Sequence, residues 1–399
     1  MTRAAAPSAH AVRWARVGVV VTFFVHGLLF ASWTAHIPQV KAHLHLDNAT
    51  LGVALLGAPV GSVSAMLAAA ALIPRFGSRR VVQVCLLGYG ISGPFVGLTG
   101  STAALFAALF VWGAFMGTLD IAMNTQAIAV EGARDRAIMN TTHAFWSLGA
   151  FAGAGLGAVC VAVGISLSWQ LLVAGSVAIV VAEWLTLRML LDAADPAAAE
   201  RPASAPAARP RWPHRLSSAV LLLGAITFAS MLCEGAAADW SSVYLHDSVH
   251  ASAAISGLGY AAFALAMVGA RLSGDRLIER FEARRVLPAL ALVAAVVFAI
   301  ALAVGAVPIT LFGFFALGAG LGAVVPTTFS AAGRLPDLHP GVAVAAVSGM
   351  GWAGFVLGPP LIGQLAGLST LRAALAVIPV LAAFVAVASN RVAALRRAA

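Results

Sequence analysis

The chain has 399 residues, of which 61% are hydrophobic and 10% charged, with a formal charge of +9 and a mean hydropathy of +0.94. A soluble domain carries about 25% charged residues, so a water-soluble globular protein is excluded. The basic residues are scattered over separate segments, which excludes a nucleic-acid-binding module.

Apolar runs of membrane length, about 20 residues each, recur twelve times. They fall near 16–38, 50–73, 80–99, 102–130, 138–164, 167–190, 217–243, 253–274, 285–304, 307–331, 341–366 and 369–390. The runs are continuous and not alternating, unlike the strands of a membrane barrel. Backbone groups in lipid must pair within their own segment, so the runs are expected to be helices. The first is too long for a signal-peptide core and lacks a convincing cleavage site; it is expected to be retained. The three cysteines, Cys85, Cys160 and Cys233, lie inside runs and form neither a disulfide framework nor a metal spacing.

Along the chain, the first run carries Thr22, His26 and Trp33 on one stripe. After the second run comes LIPRFGSRRV, 72–81, which returns as LIERFEARRV, 277–286, after the eighth, with seven of ten positions matching at an offset of 205. At an offset of 207, Ala31-Ser32-Trp33 echoes Ala238-Asp239-Trp240. Internal duplication in a very apolar chain marks secondary transporters. The fourth run places Asp120, Asn124, Ala127 and Glu131 on one helical face. The fifth holds His143 and Trp146; the sixth ends on Glu183 and Arg188, expected to form an interfacial ion pair. Residues 192–216, rich in Ala and Pro, read as a linker between a half at 14–191 and a half at 217–392. The seventh run carries Thr227, Ser230, Glu234 and Ser241 as a stripe, with Asp239 about 140° around the helix from Glu234. Glycines recur at four-residue spacing: Gly57/Gly61, Gly113/Gly117, Gly149/Gly153, Gly318/Gly322 and Gly354/Gly358. Such pairs are either surfaces on which helices slide or tight packing contacts.

With the N-terminus in the cytoplasm, all but Lys41 and Arg372 of the 24 Lys and Arg fall at cytoplasmic helix ends, Arg271 among them. This is the positive-inside bias. Twelve spans also return the C-terminus to the cytoplasm. No Lys or Arg is then expected within a span, and anionic solutes are disfavoured.

Twelve helices, a six-plus-six duplication, a central linker and a basic loop after the second helix of each half together resemble the major facilitator superfamily, over about residues 14–392. The family's loop reads roughly G-x-x-x-D-R-x-G-R-R. Arg75, Gly77, Arg79 and Arg80 fit it, while Pro74 replaces the acid; in the second loop Glu279 and Arg280 fit, and Glu282 replaces the Gly. The resemblance implies that this loop latches the cytoplasmic side, and that helices 1, 4 and 7 line a central cavity. Gly354 to Pro360 is similar to the family's Gly-Pro motif, which drug–proton antiporters carry in helix 5; helix 5 here has no Pro. The overall look is nearer to the sugar-permease-like bacterial branch related to the fucose–proton symporter.

The expectation is therefore an all-α membrane protein with the major facilitator fold, a monomer of the bacterial inner membrane, with no cofactor or metal and no enzymatic activity. It would move a small neutral or cationic solute by alternating access, coupled to protons through Asp120, Glu234 and His26. Asn124, Glu234, Trp33, Trp146, Trp240 and Trp352 would bind the solute, and Arg75, Arg79, Arg80, Glu279 and Arg280 would gate the cytoplasmic side. A drug–proton antiporter is the alternative within the class; a polytopic membrane enzyme or a receptor is the alternative outside it. His43, His45 and Asp47 could bind a metal, but two His in a polar loop are usually just solvated.

Overall fold

The computed structural model describes residues 8–134, 138–191, 217–335 and 340–392; the expected linker at 192–216 lies outside them. The described residues form helices and no strand. In chain order the long ones are α1 Ala9–Thr34, α2 Gly57–Phe76, α3 Ser78–Val96, α4 Thr102–Arg134, α5 Met139–Ala162 and α6 Leu167–Thr186. They continue as α7 Ser218–Val243, α8 Leu258–Phe281, α9 Ala283–Val304, α10 Val307–Leu321, α11 Pro340–Leu368 and α12 Leu371–Arg391.

Among the described residues, 11 helical regions are long and apolar enough to span a membrane. The expected twelfth, α3, has 19 residues and opens on Ser78-Arg79-Arg80, so charge in its first turn dilutes its apolar run. Large side chains such as Val84, Ile91, Val180, Leu292 and Val380 are exposed, as expected of surfaces that face lipid and have no need of a polar coat.

Packing repeats as the sequence does. The α1–α5 contact corresponds to α7–α11, α2–α4 to α8–α10, and α3–α4 to α9–α10. The two sets meet along α5–α8 and where the short helix Asn48–Leu55, just before α2, lies on α11.

The spaced glycines explain the contacts within each set. A Cβ added at Gly149 or Gly153 would overlap the carbonyl oxygens of Phe24 and Leu28, and one at Gly354 that of Phe228. Gly57 and Gly61 face Phe106 and Phe110, and Gly318 faces Phe263, in the same way. These pairs lie inside one half and are packing contacts; they are not the surfaces between halves. The close approach between halves uses other glycines, Gly52 against Gly363, whose Cα atom would lie 3.1 Å from a Cβ on Gly52.

The duplicated loop is duplicated in conformation. Gly77 has φ 83° and ψ 144°, and Glu282, at the matching place, has φ 66° and ψ 137°. Glu282 thus takes a glycine conformation with a side chain present, which costs about 1–3 kcal/mol. Glu282→Gly is expected to raise stability by about 1 kcal/mol, because the exposed Arg284–Glu282 ion pair it removes is worth little. Thermal unfolding in detergent checks this; an unchanged or lower midpoint would show the turn to be unstrained.

Candidate functional site: a mid-membrane cavity closed toward one face

Ala9, Phe76, Arg134 and Arg391 mark one face of the bundle, the terminal face; Thr34 and Val243 mark the opposite one. A cavity of about 550 Å³ runs from mid-span toward the terminal face. It is walled by residues of α1, α4, α5, α7, α8 and α11 and by the segment 322–329 that follows α10. Its polar lining includes Asp120, Asn124, His143, Glu234, Arg271 and Thr327.

Asp120 and Asn124 reach it from α4, as one helical face requires. Asn124 Nδ2 donates to the Asp120 backbone oxygen at 2.8 Å and to Asp120 Oδ1 at 3.3 Å. Glu131, two turns further on that face, serves the fold: its Oε1 accepts from the N–H groups of Ile138 and Met139 at 2.6 and 2.9 Å and so caps the start of α5. Helix α7 supplies Glu234.

Arg271 corrects the expectation of a cavity without a cation. The apolar run at 253–274 puts this residue near a helix end, yet α8 continues to Phe281 and leaves Arg271 near its middle. Its guanidinium lies 3.7 Å from Glu234 Oε1, donates to Ser147 Oγ at 2.5 Å and to the His143 backbone oxygen at 3.5 Å, and sits 5.8 Å from the Trp146 ring centre. It therefore spans α7, α8 and α5, tying residues of both halves together. The signal available in sequence was the continued helical pattern after residue 274, against a falling hydropathy.

His26 is held at both nitrogens. Trp146 Nε1–H donates to Nδ1 at 2.7 Å, and Nε2 lies 3.3 Å from the Met116 backbone oxygen. A carbonyl only accepts, so these partners assign the proton to Nε2 and leave the ring neutral. A second proton on Nδ1 would face the Trp146 N–H.

Trp146 and Trp352 line the cavity. Trp33 and Trp240 are buried, 2% and 0% exposed, and are not among its lining residues. They are not part of this cavity's wall. His143 lines the cavity and packs its ring edge-on against Phe23. Glu183 does not pair with Arg188: it accepts from Thr186 Oγ1 at 3.2 Å, while Arg188 lies over the Trp184 ring at 3.9 Å. The aromatic face offered a nearer partner than the acid.

Sequence reasoning also missed the break in α10. The helix stops at Leu321, turns through Gly322 and Ala323, and restarts as Val324–Ala332. Gly322 and Ala323 both line the cavity. Discontinuous helices at mid-membrane are a recurrent way to expose backbone polar groups to a solute.

On the terminal face, Arg75 lies over Phe76 at 5.2 Å and Arg280 over Phe281 at 5.4 Å, another echo of the repeat. Arg79 is half-buried and Arg80 exposed; the Glu279 side chain lies outside the described residues. Among the described residues no ion pair bridges the halves on this face. On the opposite face one does. Lys41 pairs with Asp247, and Ser242 Oγ donates to the Thr34 backbone oxygen at 2.6 Å. Lys41, exceptional in the charge bias, is thus half of a bridge. Asp47 caps the helix Asn48–Leu55 through the Thr50 N–H at 2.7 Å, and no group of metal-binding residues occurs among the described residues.

The comparisons with known proteins agree with this architecture. The family model described as Major Facilitator Superfamily matches residues 19–273 and 240–397. The chain is 33% identical over 383 residues to an uncharacterised MFS-type transporter of Yersinia pestis, covering 94% of this chain and 95% of that one. The chain belongs to the major facilitator superfamily. The solved nucleoside transporter NupG has the same fold, with a TM-score of 0.69 at 13% identity over 96% of this chain and 99% of that one. The D-xylose–proton symporter gives 0.69 at 12% identity over 94% and 98%. Kinship with transporters along the whole chain makes this major facilitator protein a membrane transporter and not an enzyme.

Removing the opposite-face bridge should release that side. Lys41→Ala costs about 1 kcal/mol for a partly exposed pair, so the opposite-face-open population is expected to rise about fivefold. Spin labels at Val163→Cys and Leu368→Cys, both exposed, would read it as a longer distance. An unchanged distance distribution would show that the pair does not hold the face shut.

Proposed function

We propose that this protein is a proton-coupled secondary transporter of the bacterial inner membrane that moves a small polar solute by alternating access. The observation that carries the reading is the cavity of about 550 Å³, which holds Asp120, Glu234 and Arg271, while Lys41–Asp247 and Ser242–Thr34 join the halves on the opposite face. Its size is that of a site for a small ligand. With both termini in the cytoplasm, as the charge bias implies, the present state faces inward. The bundles 14–191 and 217–392 then rock about the site.

The solute class follows from the charges. Asp120 and Glu234 share the cavity with one arginine, Arg271, so with the histidines neutral a single bound proton makes the site neutral. A neutral polyhydroxylated solute fits that condition, with Asn124 and Asp120 as hydrogen-bond partners and Trp146 or Trp352 as a stacking face. The presence of Arg271 removes the argument against an anionic group, and a solute carrying both charges fits as well. The sugar and nucleoside cargoes named for the structural neighbours are of the first kind. One observation favours a second reading, efflux of amphipathic compounds: Met116, Met139 and Met231 line the cavity beside its aromatics and would adapt to varied shapes.

Thermal unfolding of purified protein against sugars, polyols, nucleosides, amphipathic cations and dicarboxylates tests the class. A ligand at a thousand times its Kd adds about 4.1 kcal/mol of stability. The stabilising solute is then supplied to proteoliposomes containing a pH-sensitive dye. Solute-dependent proton movement is expected; its absence would overturn the coupling, and stabilisation by dicarboxylates alone would overturn the solute class.

A further inference from the structure

Asp239 plays no part in the cavity above, yet it has the chemistry of a coupling group. It lies on α7 five residues past Glu234, so about 7.5 Å nearer the opposite face. It borders a separate void of about 10 Å³, about the volume that holds one water molecule. Phe30, Met116 and Phe355 line both this void and the large cavity, and so form the partition between them. Beyond the partition lie Trp33, Leu55 and Trp112, and every other residue lining the void is apolar. No ion pair or hydrogen bond to the Asp239 carboxyl occurs among the described residues. The Tyr260 hydroxyl on α8 lies within electrostatic reach of Asp239, as it does of Glu234 and Arg271; α1, α2, α4 and α11 present no ionisable group to the void. The matching place in the first half holds Ser32, whose hydroxyl is satisfied by the Leu28 backbone oxygen at 2.8 Å. The first half thus carries no acid at this place.

An ionised carboxyl in such surroundings is costly. The void also lies where the two halves meet on the closed side, with α1, α2 and α4 on one hand and α7 and α11 on the other. Parting the halves there would bring water to Asp239.

We propose that Asp239 is a second proton-binding site, which exchanges its proton with the opposite face when that face opens and carries it, shielded, when it closes. The proposal rests on the alternating-access reading and adds to it a group on the far side of the partition. The sign follows directly. Loss of the proton leaves a charge that is tolerated only when hydrated, so rising pH should favour the opposite-face-open state.

The test uses the Val163→Cys and Leu368→Cys spin-label pair in lipid nanodiscs, without solute, from mildly acidic to mildly alkaline pH. Cys85, Cys160 and Cys233 are buried, which favours labelling at the two introduced sites. One proton coupled to opening changes the open-to-closed ratio by up to about tenfold per pH unit. In Asp239→Asn that tenfold component should disappear, as it should in Asp239→Ser, which installs the first half's residue. Glu183→Gln, which alters an acid of α6 that lines neither the cavity nor the void, should keep it. A wild-type slope retained in both Asp239 variants would overturn the proposal and leave proton coupling intact, because Asp120 and Glu234 remain to carry it. No slope in any form, including wild type, would overturn both. A measurement on unaltered Asp239 is the reaction of dicyclohexylcarbodiimide with its protonated carboxyl, read by mass spectrometry. Labelling should rise in Lys41→Ala; equal labelling with and without that change would count against Asp239 as the exposed group.

Discussion

Asp120→Asn is expected to abolish pH-driven accumulation of solute in proteoliposomes while exchange of labelled for unlabelled solute continues. Asp120 is the acid on the cavity face of α4, and its contacts are with Asn124, which an amide can largely reproduce. Asparagine keeps the size and the hydrogen bonding but cannot release a proton. One coupled proton supports about tenfold accumulation per pH unit, since a tenfold ratio corresponds to about 1.4 kcal/mol. The mutant ratio should fall to about one. Full accumulation by the mutant would remove Asp120 from coupling and leave Glu234 and Asp239 as the remaining acids.

The second large effect concerns the Arg271–Glu234 pair. Arg271→Gln strands Glu234 without its cation in a mostly buried position, the two side chains being 12% and 15% exposed. Breaking a buried pair at one end costs about 3–5 kcal/mol, so a marked fall in thermal stability is expected. Glu234→Gln/Arg271→Gln should recover the part of the loss that comes from the stranded charge, because no uncompensated charge is left. The single change also removes charged hydrogen bonds to Ser147 and His143 on α5, each worth about 1.5–3 kcal/mol. A double-mutant cycle read by thermal unfolding decides the matter. Additive losses would show that the 3.7 Å approach carries no coupling.

The broad design was readable from the chain because its causes are local. Continuous apolar runs report a lipid solvent, and LIPRFGSRRV against LIERFEARRV reports the repeat that the packing then obeys. Asp120, Asn124 and Glu234 line the cavity, on the helical faces that their spacing in the sequence defines. Arg271 was misplaced because an apolar window ends where polar residues begin, whereas α8 continues as long as its backbone bonds do. The partners of His26 and Lys41 were illegible for a different reason: each depends on a residue brought near by folding, such as Trp146 at a separation of 120 residues. The spaced glycines were visible, but only packing told which helix each one faces.

The union of α1 and α5 has a consequence for how the protein is made. Gly27, Gly149 and Gly153 bring these two backbones into contact, and His26 is completed by Trp146. Synthesis proceeds at about 5–20 residues per second, so the 120 residues between that histidine and its tryptophan take roughly 6–24 s to appear. Through that interval the nascent first helix lies in the bilayer with an imidazole nitrogen unpaired and three helices yet to be inserted before its partner. The earliest segment to enter is thus among the later ones to be finished, and the insertion machinery is where such a segment would have to wait.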